Sequence, residues 1–149
     1  MDRSRRTTLQ AAGSASLYGA LVSLGLLRPG TAAAQAFDQG AFKTAGVAAT
    51  LKALGADGAA DSKDVVIVAP DIAENGAVVP VVIKSNLPKT QMMALLVEKN
   101  PNALAGAYEL LDGADPEVSM RIKMGQSSDV VALVKADGKF YMTKKEVKV

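Results

Sequence analysis

The amino-acid sequence predicts an all-β protein, an immunoglobulin-like antiparallel β-sandwich with one N-terminal helix. Short segments rich in β-branched residues follow one another from residue 64 to residue 149, and we count about seven of them. Turn residues separate these segments roughly every dozen positions. The region also has the length of one sandwich domain, which is about 100 residues. A barrel built from the same strands is the alternative.

The N-terminus predicts an export signal. Arg5 and Arg6 form a twin-arginine pair just ahead of a mostly apolar run over residues 17–27. That run is shorter than the roughly 20 apolar residues that span a bilayer. Ala34 and Ala36 then supply the small-residue pattern of a signal-peptidase site, with cleavage expected before Phe37. We therefore expect residues 1–36 to be a Tat signal peptide that directs the protein to the periplasm, with no stable membrane anchoring.

Removal of this signal leaves residues 37–149, which is enough chain for one domain. Four of the 17 basic residues and one of the 15 acidic residues lie in the signal. The remaining domain therefore carries thirteen basic and fourteen acidic residues, a net charge of −1. No segment concentrates basic residues among stacking aromatics, so we expect no nucleic-acid partner.

Residues 37–55 have the spacing of a helix. Phe42, Val47, Leu51 and Leu54 recur at nearly helical intervals, and Gly55 is a suitable C-terminal stop. The apolar stripe is thin, so we expect the helix to lie across a larger body. Residues 56–63 are small and polar, and they predict a loop.

The first strands are predicted at residues 65–68, 77–84, 91–98 and 105–111, the last being the weakest. Asn75-Gly76 before the second of these is a turn signal. Pro80 lies inside the second run and has no N–H to donate to a ladder. We therefore expect Pro80 at a sheet edge or at a bulge.

The clearest strand is predicted at residues 117–124. Val118, Met120, Ile122 and Met124 alternate there with polar and charged residues, which is typical of a half-buried antiparallel strand. Residues 128–136 and 139–149 flank Asp137-Gly138, and this pair predicts a two-residue hairpin. Alternation continues to the end of the chain, so we expect the pairing to reach the last residue.

The composition argues against an unaided enzyme. The chain has no His, Cys or Trp, so the usual general base, thiol nucleophile and best zinc ligands are missing. No Gly-x-Ser-x-Gly elbow and no phosphate-binding glycine loop occur. We predict no catalytic residue, no cofactor and no metal site.

Two pairs of carboxylates stand in turns, Asp71 with Glu74 and Asp112 with Asp115. Their oxygens are too few and too irregularly spaced for a calcium loop. We interpret them as solvated turn residues.

Methionine offers a second possible metal ligand, because thioethers bind Cu(I). Five methionines follow the signal: Met92, Met93, Met120, Met124 and Met142. Met120 and Met124 fall on the apolar side of the clearest strand, which favours core packing. A periplasmic copper-binding sandwich remains an alternative.

Four segments in order resemble motifs of the SoxY family, the sulfur-compound carriers of thiosulfate oxidation. They are residues 71–81, 97–104, 124–130 and 138–141. The resemblance extends over essentially all of residues 37–149, and the twin-arginine leader agrees with it.

The resemblance implies a non-catalytic carrier subunit. SoxY-like proteins hold sulfur intermediates on the cysteine of a C-terminal Gly-Gly-Cys-Gly arm, separate Sox enzymes act on that sulfur, and SoxZ pairs with SoxY as a heterodimer. This sequence has no cysteine, so we expect the carrier cysteine beyond Val149. The other readings are a degenerate relative that only binds the partner, and a periplasmic immunoglobulin-like structural module without sulfur carriage.

Overall fold

The computed structural model describes residues 39–149. The predicted signal residues Arg5, Arg6, Ala34 and Ala36 lie outside the described residues. The export signal, its cleavage and the domain boundary at residue 36 therefore stay predictions.

Two sheets form the body of the described region. A five-stranded sheet has the order β1-β8-β7-β4-β5, and a three-stranded sheet has the order β2-β3-β6. A 3-10 helix (Ala41–Lys43) and one α-helix, α1 (Val47–Ala53), precede the strands. The strands are β1 (Ala60–Asp61), β2 (Val65–Val68), β3 (Val79–Ser85), β4 (Thr90–Val97), β5 (Leu104–Glu109), β6 (Glu117–Ile122), β7 (Ser128–Ala136) and β8 (Lys139–Val147).

This arrangement confirms the predicted fold class, an all-β immunoglobulin-like sandwich with a helix at its N-terminal side. Between the named strands of residues 39–149, the pairings are antiparallel except that of β1 with β8. Within residues 39–149 no helix is long and apolar enough to cross a membrane.

The helical segment is shorter and more broken than predicted. Thr44 is extended, with φ of −79° and ψ of 132°, and Gly46 has φ of +84°, so the segment between the 3-10 helix and α1 is not helical. Gly55 has φ of +70° just after α1 and ends it, as its position predicts. The segment packs across the five-stranded sheet, where Phe42, Val47 and Leu51 contact a buried cluster. Tertiary packing therefore holds this short helix.

Strands β4 and β7 are buried on both faces. Leu95 and Val134 face the interior between the sheets, whereas Leu96 and Leu133 face the layer formed by the helical segment. Each strand therefore contains a continuous apolar run, at residues 92–97 and 130–134. Both strands lie inside the five-stranded sheet and not at its edges.

Pro80 lies in the middle strand of the three-stranded sheet. It is paired with Arg121 of β6, while β2 ends opposite Val82 and does not reach it. Pro80 therefore has a neighbouring strand on one side alone. The expected edge environment is present locally, although β3 is central in the strand order.

The alternation predicted for residues 117–124 is present. Val118 and Met120 pack against the interior cluster, and Ile122 is buried in it. Strand β6 ends at Ile122, and Met124 is buried although it lies beyond the strand.

The hairpin between β7 and β8 is formed by Asp137 and Gly138, which have φ of +49° and +75°. Strand β8 ends at Val147, and Lys148 continues with one isolated parallel bridge to Ile72. The prediction of a loop at residues 56–63 was wrong in one detail, since Ala60 and Asp61 form β1 against β8.

Candidate functional site

One end of the sandwich gathers three loops and the last residues of the chain. The loops are residues 69–78 between β2 and β3, residues 98–103 between β4 and β5, and residues 123–127 between β6 and β7. They meet because β3, β5 and β7 begin where β2, β4, β6 and β8 end. We call this end, together with Lys148 and Val149, the C-terminal end of the sandwich.

The backbone of the last residues is held by the 69–78 loop. The Lys148 N–H donates to the Asp71 carbonyl at 3.0 Å, and the Ala73 N–H donates to the Lys148 carbonyl at 2.7 Å. These two bonds form the parallel bridge between Ile72 and Lys148. The chain is therefore still in a hydrogen-bonded ladder one residue before Val149.

The 123–127 loop holds Val149 itself. The Val149 N–H donates to Ser127 Oγ at 3.0 Å. On the other side, Gly76 lies so close that a Cβ atom there would be 2.5 Å from Val149 Cγ1. The 69–78 loop and the 123–127 loop therefore fix the position and the direction of the backbone at Val149.

A lysine from β8 links the same end to β2. Lys145 Nζ donates to the Ala69 carbonyl at 2.6 Å and lies 3.0 Å from Asp71 Oδ1. Asp71 is largely exposed, so the ion pair itself adds little stability. The bond to the carbonyl fixes the start of the 69–78 loop against β8.

A groove lies beside this end of the molecule. It has a volume of about 530 Å³ and is lined by Lys99, Asn100, Pro101, Lys123, Gly125 and Gln126. We call it the basic groove, because its lining contains two lysines and no carboxylate. Asn100 Nδ2 donates to the Lys123 carbonyl at 2.7 Å and joins the two loops that form the groove.

Comparison with known proteins gives the chain its family. Residues 51–149 match the family model of the sulfur oxidation protein SoxY. The structure also resembles that of the sulfur carrier protein SoxY from Chlorobium limicola f thiosulfatophilum. That match has a TM-score of 0.63 and 31% sequence identity, and it covers 74% of this chain and 96% of the other. The chain belongs to the SoxY family.

Two further structures show the fold alone. Superoxide reductase (neelaredoxin) from Ignicoccus hospitalis matches with a TM-score of 0.52 and 18% identity, over 57% of this chain and 79% of that one. A variant of that reductase gives a TM-score of 0.53 and 18% identity, over 60% of this chain and 82% of the variant. No curated protein sequence matches this chain.

The SoxY resemblance noted from the sequence falls on this end of the sandwich. Residues 71–81, 97–104 and 124–130 supply parts of all three loops, whereas residues 138–141 lie in the hairpin at the opposite end. Gly76, Lys99 and Ser127 lie within these motifs. The sequence predicted a turn at Gly76 but no contact for it, and it predicted no role for Lys99 or Ser127. Their position in the SoxY-like motifs was the signal that the sequence contained. The fold is needed to show what these residues contact.

The carboxylates that the sequence places in turns do not form a common site in this SoxY-family chain. Asp71 pairs with Lys145, and Asp112 and Asp115 are exposed at the opposite end, in the loop between β5 and β6. No group of three or more His, Cys, Asp or Glu side chains that could hold a metal ion occurs between residues 39 and 149.

The methionines divide between the two apolar clusters. Met93, Met120 and Met124 belong to the interior of the sandwich, while Met92 and Met142 pack beneath the helical segment. This division favours core packing of the methionines over a common copper site.

Proposed function

We propose that this chain is the carrier subunit of a periplasmic thiosulfate-oxidising Sox system. It holds covalent sulfur intermediates on a cysteine arm that continues beyond Val149, and it pairs with a SoxZ-like subunit. Separate Sox enzymes act on the bound sulfur, and this chain is not itself a catalyst. Membership of the SoxY family supports the carrier role.

The observation that carries the proposal is the match to the sulfur carrier protein SoxY, at 31% identity over 96% of that chain, and the anchoring of Val149 at the surface agrees with it. Ser127 and Gly76 hold this residue on two sides, yet it is exposed. A mobile arm that followed Val149 would start from a fixed base. Six further residues at full extension would reach roughly 20 Å, and glycines in such an arm would keep it slender and flexible.

The arm is tested by the intact mass of the native periplasmic protein. We expect a mass above that of residues 37–149 by a short glycine- and cysteine-containing segment, and one thiol that reacts with a maleimide. A mass that ends at Val149, with no reactive thiol, would refute sulfur carriage. The immunoglobulin-like partner-binding module would then be the better description.

Exposed apolar residues of β2 and β3 on the outer face of the three-stranded sheet support the pairing with a partner. Lys84 of β3 and Glu117 and Arg121 of β6 share this face and border them. Val66 and Val68 of β2 are 36% and 52% exposed, and Val68 is opposite Val82 of β3. Pro80 of β3 is also exposed on this face. Exposed apolar side chains grouped on one face are a feature of protein interfaces.

A pull-down from the native periplasm tests the pairing. The tagged protein is expected to retain a small β-sandwich subunit that lacks its own signal. Val68→Lys should weaken this retention, whereas Leu111→Lys should not, because Leu111 is exposed in the loop between β5 and β6 at the opposite end. Absence of any such subunit from the wild-type pull-down would refute the pairing, and equal retention by the two variants would exclude this face.

A further inference from the structure

We propose that the basic groove is a binding site for a small sulfur oxyanion. Lys99 and Lys123 would supply the positive charge, and the loop at residues 125–126 would supply backbone donors. The choice of a sulfur compound among tetrahedral anions rests on the proposed function. The preference of the groove for an anion follows from its own residues.

The two lysines have no carboxylate partner. Ion pairs in the described region involve Lys84, Lys89, Lys144 and Lys145, and neither Lys99 nor Lys123 takes part in any. The groove lining also contains no acidic side chain. Both ammonium groups can therefore meet a bound anion without first giving up an ion pair.

The backbones that carry the lysines are fixed. The Lys99 N–H donates to the hydroxyl of Ser128 at 3.0 Å, and Ser128 is buried. The Lys123 carbonyl accepts the Asn100 amide at 2.7 Å. A site whose backbone is already ordered loses less conformational entropy when a ligand binds.

Gly125 leaves the wall of the groove as bare backbone. A Cβ atom placed on Gly125 would meet no atom within 4 Å, so the space beside it is open. Within residues 39–149, the N–H groups of Gly125 and Gln126 have no acceptor. Successive backbone N–H groups that converge in a turn bind anions, and we propose that those of Gly125 and Gln126 do so here.

The lining favours a small anion over a protein segment. No aromatic or large aliphatic side chain lines the groove, and Pro101 and the aliphatic parts of the lysine side chains supply its apolar surface. Peptide-binding surfaces depend on buried aromatic or aliphatic anchors for most of their affinity. Two cations and several amide donors instead match the three or four oxygens of a sulfate or sulfonate group.

An NMR titration of the 15N-labelled protein tests the site. Sodium thiosulfate and sodium sulfate are added separately, against sodium chloride at the same ionic strength. We expect saturable shifts at the amides of Lys99, Asn100, Gly125 and Gln126 with the two sulfur anions. Shifts that do not saturate, or that chloride reproduces, would overturn the proposal.

Charge variants supply the second measurement. Lys99→Gln combined with Lys123→Gln should raise the dissociation constant for thiosulfate by roughly tenfold, since each lost contact is worth a factor of a few. The matched control is Lys139→Gln, an exposed lysine that begins β8 at the opposite end, which should leave the constant unchanged. An equal effect of both changes would overturn the site.

Two further titrations, with inorganic phosphate and with a purified partner protein, test the identity of the ligand. Inorganic phosphate that binds as tightly as thiosulfate would overturn the assignment to sulfur anions. Groove shifts that appear on addition of a purified partner protein, and with none of the anions, would replace the proposal by a protein contact. The mass and thiol measurements do not depend on this groove, so failure here is distinguishable from failure of the carrier role.

Discussion

Gly76 lies directly against Val149, with no room for a side chain between them. A Cβ atom on Gly76 would be 2.5 Å from Val149 Cγ1 and 2.5 Å from the carbonyl oxygen of Met124. The Gly76 carbonyl also accepts the Met124 N–H at 2.7 Å. Gly76 therefore joins the end of the chain to the 123–127 loop, and it can do so because it is small.

Gly76→Ala should destabilise the protein by about 1–3 kcal/mol, because the added methyl group must displace backbone as well as a valine side chain. Urea unfolding measures the loss. The matched control is Gly125→Ala, where open space surrounds the new methyl group. We expect the control to change the free energy of unfolding by less than about 0.5 kcal/mol, and equal losses in both variants would contradict this account.

Ser127→Ala removes the hydroxyl that accepts the Val149 N–H. We expect a loss of about 0.5–1.5 kcal/mol, the usual worth of one hydrogen bond. Hydrogen exchange should locate the effect, with faster exchange at Val149. Ser119→Ala is the control, since Ser119 is exposed on β6 and its hydroxyl has no partner among the described residues. Unchanged exchange at Val149 would mean that this bond does not hold the terminus.

Much of the sandwich could be predicted from the sequence, because alternation reports the environment of a strand with one buried face. Residues 117–122 show this clearly, with Val118 and Met120 directed inward between exposed neighbours. The apolar run within residues 128–136 predicted a strand, but it did not predict that both faces of this strand are packed. The second face depends on the helical segment, which lies about 80 residues earlier in the chain.

The helix and the candidate site show where the sequence was insufficient. The apolar spacing of residues 37–55 continues through residues 44–46, but the extended backbone at Thr44 and the positive φ at Gly46 break the helix there. Ser127 and Val149 are 22 positions apart, and Lys145 and Ala69 are 76 apart. Contacts at such separations depend on strand order, which local periodicity does not contain.

Leu95 and Leu96 are neighbours on β4 that face different layers, and both are completely buried. Leu95→Ala should cost about 2–5 kcal/mol, because it leaves a cavity between two sheets that cannot approach each other. Leu96→Ala should cost less, because the short helical segment above it can move inward. Urea unfolding of the two variants compares them, with the exposed Val68→Ala as the control. A larger loss for Leu96→Ala would mean that the helical layer is the more rigid one.

Thr50 is completely buried in α1, and its hydroxyl donates to the Gly46 carbonyl at 2.8 Å. The same oxygen lies 2.7 Å from Thr44 Oγ1, so one hydroxyl joins α1 to the turn before it. Thr50→Val keeps the shape but removes both contacts. The Gly46 carbonyl still accepts the N–H of residue 50 at 3.2 Å, and the Thr44 hydroxyl still donates to the Ala41 carbonyl at 2.6 Å. We therefore expect a loss of about 0.5–1.5 kcal/mol, the usual worth of one hydrogen bond. Thr50→Ser keeps the hydroxyl and should retain most of the stability. Urea unfolding gives the loss, and hydrogen exchange across residues 47–53 should be faster in the valine variant alone. If the serine variant is the less stable of the two, the methyl group and not the hydroxyl holds this helix in place.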